Sequence, residues 1–326
     1  MSQKVSLYIP CFNAERYLAR TLEAALRQTY PFDEILVIDD GSRDRTAGIA
    51  AHYPVRIVSH DRNRGLAAAR NTGVRTALNE LVASLDADCV AEPDWLEKLL
   101  PHLDDPKVAA ASGRVEETVL TSLADRWRQA HLPENWGNAL LVNPPLLFGA
   151  NGLHRKSRIA EVGVYDEITW VAGCGEDQEM SSKLRKAGYD LIYDPAARVK
   201  HIKQDTVRSV LDTRWRWWRY GVQAYFTRLR LRSILATFYR AHFRTMFFEH
   251  VAQDWRAGNY ELLWIDLLCL FYMPWRDLKL YGQTKFRPSR PPSERPAAGP
   301  QFDINSFPEP DAKTPAGKQI PRGLTG

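Results

Sequence analysis

Four short apolar runs in the first 90 residues, separated by helix-spaced stretches, constrain this chain more than any other feature. Val5-Ser6-Leu7-Tyr8-Ile9 reads as a strand that Pro10 stops. Ile35 to Ile38 is wholly apolar, as a strand covered on both faces must be. Val55 to Val58 and Leu81 to Leu85 supply a third and a fourth strand. Between them, Ala14 to Gln28 carries apolar residues at 18, 22, 25 and 26, a helical spacing. Asp44 to Ala51 and the Ala-rich Leu66 to Leu78 complete the alternation. Strands that alternate with helices build parallel βαβ units, so the fold class is α/β. In such sheets ligands gather beyond the carboxyl ends of the strands. Polar residues stand at that rim repeatedly: Asn13, Asp39 and Asp40, then Asp86 and Asp88. Each alone reads as a loop or cap residue. Their recurrence on one rim does not.

The rest of the chain is less regular. Pro93 to Leu103 and Glu176 to Ala187 read as helices, Val108 to Ala111 and Leu191 to Tyr193 as strands, and Leu146 to His154 as a glycine-containing loop. After residue 204 the composition shifts. Ten arginines face three acids between 207 and 256, and six of the ten tryptophans fall between 215 and 275. The expected organisation is a domain over 1–204, an amphipathic helical region over 205–285 and a disordered tail over 286–326. The 326 residues suffice for an α/β core plus an appendage. The net charge of +5 admits anionic substrates or a membrane surface but is too small to argue for nucleic acid. Cysteines at 11, 89, 174 and 269 form no CxxC pair, which points to a reducing compartment. No run of about 18 apolar residues suggests a membrane span. A signal peptide is not expected either, since the N-terminus leads straight into the first strand pattern.

Three constellations carry the chemistry. In Asp86-Ala87-Asp88 the carboxylates are two residues apart, so in extended backbone both face one ligand. Like charges that close call for a cation or a proton between them, and Mg2+ or Mn2+ suits carboxylate oxygens. The plain alternative is a solvated turn. Gly173-Cys174-Gly175-Glu176-Asp177 places acids at a helix start, read as an N-terminal cap or as a carboxylate general base. His201 follows a strand and is structural or completes an oxygen-rich metal site.

These segments resemble the family 2 glycosyltransferases. Val5 to Asn13 is similar to that family's first strand and loop, and Ile35 to Ser42 (ILVIDDGS) to its second strand and DDGS turn. Asn63 to Gly73 resembles its N-x-G-x-x-x-A-R-N-x-G segment. Asp86-Ala87-Asp88 resembles its DxD, Phe148 to Gly152 its G-x-N-G loop and Glu176-Asp177 its ED pair. Six blocks in the family's order span roughly residues 4 to 201. The resemblance implies a GT-A nucleotide-diphospho-sugar transferase fold, a Rossmann-like and mostly parallel sheet, with a C-terminal helical subdomain. It implies an inverting, metal-dependent transfer of a sugar from a nucleotide diphosphate donor (UDP or similar) to an acceptor hydroxyl, in cell-surface polysaccharide or glycolipid synthesis.

By that resemblance Asp177 is the base and Glu176 its neighbour. Pro10, Phe12, Asn13, Asp40, Gly65, Arg70, Asp86 and Ala87 line the donor. Asn151, Gly152, Arg214 and Trp215 lie on the acceptor side, and Asp88 with His201 holds Mg2+ or Mn2+. Processive members carry Q-x-x-R-W, whereas this chain has Leu211 in place of the Gln, so one sugar per acceptor is expected. The expected partners are a nucleotide-sugar donor and a glycan or lipid-linked acceptor. The Arg- and Trp-rich helices read as packing or homo-oligomer contact, or as a peripheral contact with an anionic membrane. Nucleic acid is disfavoured. The expected location is cytoplasmic, at the inner face of a membrane in the peripheral case. The alternative function is a non-catalytic nucleotide-sugar-binding or partner subunit on the same fold.

Overall fold

The computed structural model describes residues 3–167, 175–217 and 249–285. Gly173 and Cys174, the middle of the Arg-rich stretch and the expected tail lie outside the described residues. The described residues divide into two compact units, one from those up to 119 and 133–204, the other from 120–132, 205–217 and 249–285.

The first unit is built on a nine-stranded sheet: β1 (Val5–Cys11), β2 (Glu34–Asp39), β3 (Arg56–Ser59), β4 (Leu81–Leu85), β5 (Cys89–Ala91), β6 (Val108–Glu117), β7 (Leu141–Val142), β8 (Asn151–Arg155) and β9 (Asp190–His201). The order is β3-β2-β1-β4-β8-β6-β9-β5, with β7 also on β9. β1 to β4 are mutually parallel. β8 runs antiparallel to both of its neighbours. Helices α1 (Leu18–Leu26), α2 (Thr46–Ala50), α3 (Leu66–Thr76), α4 (Trp95–Leu99), α6 (Lys156–Val162) and α7 (Glu176–Lys186) belong to this unit. α5 (Leu123–His131) belongs to the other. β1 is buried along its whole length because parallel strands are covered on both faces. Leu7, Ile9, Leu18, Leu22, Val37, Ala83, Leu96 and Leu153 form the centre of the core.

Pro10 does not end β1. It pairs with Ile38 inside the strand. The carbonyls of Val5 and Cys11 accept from Asp33 and Asp40 on the β2 side. Alternation therefore turns Pro10 towards β4, whose pairing with β1 ends at Tyr8 and Ser84. The missing N–H faces the one side where no ladder bond is due. β9 is also longer than its apolar core. Its register on β6 shifts between Gly113 and Arg114, so that Asp194 and Arg198 are consecutive partners and Pro195 sits in a bulge.

The segment around Asn151 and Gly152 is not a loop but β8, in the middle of the sheet. Asn151 is fully buried. Its Oδ1 accepts from Trp95 Nε1 at 2.5 Å and from the Gly113 N–H at 3.3 Å. A Cβ on Gly152 would lie 2.7 Å from the buried His154 ring. Both residues serve the core, a correction to the acceptor role expected of them.

The second unit holds α5, α8 (Val207–Arg216), α9 (Val251–Ala257) and α10 (Leu263–Lys285). Ser122 and Thr206 cap α5 and α8 with reciprocal side-chain bonds. Trp127, Val210, Leu211, Trp215, Ile265 and Met273 form its core. Trp127 Nε1 donates to Asp266 and Trp215 Nε1 to Asp277, each at 2.9 Å. The Trp215 ring lies under the Arg276 guanidinium at 4.4 Å. Trp215 and Leu211 are thus core residues of this unit. Arg214 is partly buried with its Nε unpartnered, and desolvation lowers its pKa.

Replacing Asn151 with Ala is expected to destabilise the fold. It leaves two buried donors without an acceptor, at about 1–3 kcal/mol each. Urea unfolding at constant m-value reads the loss, and a change under about 0.5 kcal/mol would contradict the role given to Asn151.

Candidate active site

The strand ends and the start of α7 bring charged side chains together around one arginine. Arg70, on α3, is almost fully buried. Its Nη2 meets Asp86 Oδ1 at 3.2 Å and its Nε meets Glu176 Oε1 at 3.4 Å. Its Nη1 donates to the Gly149 carbonyl at 2.7 Å, which also accepts from Ser84 Oγ at 2.9 Å. A Cβ on Gly149 would lie 2.8 Å from the guanidinium carbon, so the arginine can lie there only against glycine. The Gly149 N–H points to Asp177 Oδ2 at 3.4 Å. One side chain thus ties the end of β4, the loop before β8 and the start of α7.

α7 starts at Glu176 behind Gly175, which sits at φ 95°, a conformation open to glycine. Burial raises the Glu176 pKa to about 7, and the adjacent Asp177 adds to the shift while Arg70 opposes it. Asp177 is raised as well, chiefly by burial. A small cavity lined by His154, Tyr165, Met180 and Ser181 adjoins it. His154 is neutral, its pKa lowered to about 4 by burial and by Arg70. Asp86 is raised by burial, against the pull of Arg70 and with a push from Asp88.

A second group forms where β5, β9 and β6 lie side by side. β5 and β9 pair Cys89 with His201, and β6 and β9 pair Glu117 with His201. His201 Nδ1 meets Glu117 Oε2 at 2.7 Å and Nε2 faces Asp88 Oδ2 at 3.4 Å. Burial opposes its charge, but the bonds to Asp88 and Glu117 win and lift its pKa to about 10. The ring is then a cation between two carboxylates. It becomes a ligand only when a metal displaces the Nε2 proton. Glu117 was not foreseen, because residues 84 apart share no local pattern and only the strand register brings them together.

Further along the same rim, beyond the ends of β1 and β2, Phe12 is half-exposed, free to stack on a ring. Asn13 adopts a left-handed φ of 52°, and its Oδ1 accepts from the Arg43 N–H at 2.9 Å. Asp40 is buried. It accepts from the Arg64 and Gly65 N–H groups at 2.8 Å each and pairs with His60 Nδ1 at 2.6 Å. Its oxygens hold the 60–65 loop at the start of α3. Asp39 Oδ1 accepts from the Ser42 N–H and shapes the turn. Ala87 is buried, and its carbonyl accepts from Thr21.

A mostly parallel sheet with a charged rim of this kind defines a GT-A sugar-transferase fold. Comparison with solved structures agrees. The mannosyltransferase PcManGT from Pyrobaculum calidifontis, solved with GDP-Man and Mn2+, superposes with a TM-score of 0.58 at 18% identity, over 85% of this chain and 88% of its own. TarS 1-349 from S. aureus gives 0.52 at 15% identity, over 86% and 89%. Residues 6–159, just under half of the chain, match Glycosyl transferase family 2. The pre-mycofactocin glycosyltransferase of Mycobacterium tuberculosis is 32% identical over 214 residues, covering 63% of this chain and 44% of its own length. The poly-beta-1,6-N-acetyl-D-glucosamine synthase of Staphylococcus epidermidis is 28% identical over 229 residues, covering 67% and 54%. The chain spans about half the length of these relatives.

The Glu176 carboxyl binds its proton more tightly in the folded protein than at its ordinary 4.5. Its contribution to stability is complete below that value and is lost as the pH climbs to about 7. Glu176→Gln does not titrate. Its melting temperature relative to the parent is therefore expected to rise steadily between pH 5 and pH 7.5. A relative fall over that range would contradict the burial of this carboxyl.

Proposed function

We propose that this protein transfers one sugar at a time from a nucleotide diphosphate sugar to an acceptor hydroxyl, with inversion, in the synthesis of a cell-surface polysaccharide or glycolipid. The observation that carries this reading is the meeting of Asp86 and the Glu176–Asp177 pair around Arg70. It sets a proton acceptor beside a charge-binding centre in one cleft.

Asp177 is the base. Burial makes its carboxylate a stronger base than one in water, against the opposing pull of Arg70 and of backbone N–H donors. The acceptor oxygen bonds to the anomeric carbon, the bond to the diphosphate breaks with its electron pair leaving on the phosphate oxygen, and the hydroxyl proton passes to Asp177. Glu176, joined to Arg70, holds the start of α7 in register with β4. Phe12 stacks on the base of the donor, while Asn13 and Gly65 shape the loops on that side.

Asp86, Asp88, Glu117, Glu176 and Asp177 outnumber Arg70 and His201, so an anionic diphosphate needs a further positive charge. The donor set fits a hard divalent ion: carboxylate oxygens from Asp88, with Asp86 alongside, and an imidazole nitrogen aimed by Glu117 in the manner of a carboxylate-backed ligand. Asp88 and His201 would hold Mg2+ or Mn2+, which supplies Lewis-acid stabilisation of the departing diphosphate. The alternative of a non-catalytic nucleotide-sugar binder leaves the placement of Asp177 without a purpose.

The helical unit supports a lipid-linked acceptor and a peripheral contact with an anionic membrane. α10 carries apolar residues on two faces, with Ile265, Cys269 and Met273 in the core of the unit. Its acids Asp266 and Asp277 are buried, while Trp264, Leu267, Leu268, Phe271, Trp275 and Leu278 are exposed. They recur at helical spacing along one stripe. Exposed Lys279 and Arg256 flank it, a sign that suits anionic headgroups. No helix among the described residues is long and apolar enough to cross a membrane. Such a face lies in the interface instead.

Asp177→Asn is expected to lower kcat by about 100-fold or more while calorimetry shows donor-nucleotide binding within about twofold of the parent, a window of roughly 0.4 kcal/mol. Transfer at the parental rate would overturn the base, and joint loss of binding would make Asp177 a donor ligand instead. In flotation with vesicles containing anionic phospholipid at low salt, the parent is expected to rise with the lipid and the variant Phe271→Glu, Trp275→Glu to stay at the bottom. A parent that does not float, or a dimer that the same variant splits, would contradict the membrane contact.

A further inference from the structure

Apart from the sugar-transfer cleft, the helical unit contains three buried polar atoms that share one place and have no hydrogen-bond partner: His131 Nδ1, His250 Nδ1 and Asp266 Oδ2. His131 and Asp266 are almost inaccessible to solvent, and His250 nearly so. The other atoms of the group are engaged. His131 Nε2 meets Asp254 Oδ2 at 2.8 Å, and Asp266 Oδ1 accepts from Trp127 Nε1 at 2.9 Å.

This arrangement fixes the chemistry. A ring nitrogen that faces a carboxylate carries the proton, so His131 keeps a bare lone pair on Nδ1. Asp266 Oδ2 is a second lone pair with no donor. The His250 ring stacks on His131, with centroids 4.2 Å apart and planes 18° apart, and its Nδ1 stands 3.7 Å from Asp266 Oδ1. Buried acceptors without donors cost free energy unless something positive joins them. One donor atom from each of the three residues lies within 4.8 Å of the other two.

We propose that His131, His250 and Asp266 form a structural site for a divalent transition-metal ion. Two imidazoles and one carboxylate suit Zn2+ better than Mg2+, which selects oxygen. Asp254 stands behind His131 as the carboxylate that orients a metal-bound imidazole. Bonds of about 2.0–2.1 Å bring tetrahedral ligands to roughly 3.4 Å of one another, a closure that requires the His250 ring to turn out of its stack on His131. The ligands come from α5, from the residue before α9 and from α10, and the chain separates the first from the other two by more than a hundred residues. A metal there ties α5, the start of α9 and α10 together, and its affinity adds to the stability of their packing. The site differs from the Asp88 group in ligand type, metal preference and place in the chain.

The test uses the full chain, purified through a tag without histidine and without chelator. Elemental analysis is expected to find about one zinc per chain. Removal of the metal is expected to lower the melting temperature, and one equivalent of Zn2+, but not Mg2+, to restore it. Co2+ in place of Zn2+ is expected to give the visible absorption of a four-coordinate site. Asp266→Asn keeps an oxygen for Trp127, and His131→Gln is similar in length. Both are expected to abolish the stoichiometric zinc, whereas Asp88→Ala retains it. Where a variant does not fold, the Zn2+ response and the Co2+ spectrum of the parent decide. Protein that carries no metal and ignores Zn2+ overturns the proposal and makes the three atoms hosts of buried water. Zinc that survives both substitutions overturns it equally.

Discussion

The organisation of the sheet rim depends on a buried cation. Arg70 lies inside the first unit with carboxylates on two sides and a backbone carbonyl on a third. A guanidinium there is tolerated because Asp86, Glu176 and the Gly149 carbonyl occupy its donors. Removing one partner would leave a buried charge uncompensated, a cost of several kcal/mol, whereas the intact group contributes position more than stability. The same contacts fix what function needs. β4 delivers Asp86 and Asp88, α7 delivers Glu176 and Asp177, and Arg70 sets their separation. Gly149 is required at the point of closest approach, so the segment before β8 belongs to this constraint.

Charge in the cleft is arranged in two layers. The inner one, Arg70 with Glu176 and Asp86, is desolvated, and its carboxyl pKa values rise. The outer one, Asp88 with His201 and Glu117, keeps its imidazole charged. Protons and guanidinium thus compensate part of an excess of carboxylates. A divalent ion brought with a sugar diphosphate would take over the compensation that the His201 proton now provides.

The first half of the sheet was legible in the sequence because strands buried on both faces are continuous apolar runs. β1, β2 and β4 fall where their composition puts them. Reading failed where pairing, not composition, decides. Pro10 sits inside β1 because its missing N–H faces past the end of β4. β8 reads as a glycine loop, yet it fills the gap between β4 and β6. The acids at 86, 88, 176 and 177 were visible as motifs. Asp40 was visible too, but its oxygens are taken by the 60–65 loop, and Asn151 by Trp95, which no spacing could reveal. Glu117 and the His131–His250–Asp266 group join residues distant in sequence and leave no local trace. α5 carried a signal, the Ser122 to Asp125 capping box, that was legible and passed over.

The central claim is that Asp86 and Glu176 share one guanidinium. A double-mutant cycle of Asp86→Asn and Glu176→Gln, read as unfolding free energy at pH 8, tests it most directly. Two carboxylates on one arginine must couple, and a coupling of at least about 1 kcal/mol is expected. Additivity within about 0.3 kcal/mol would show that the two acids do not meet, and the single cleft would be lost with them.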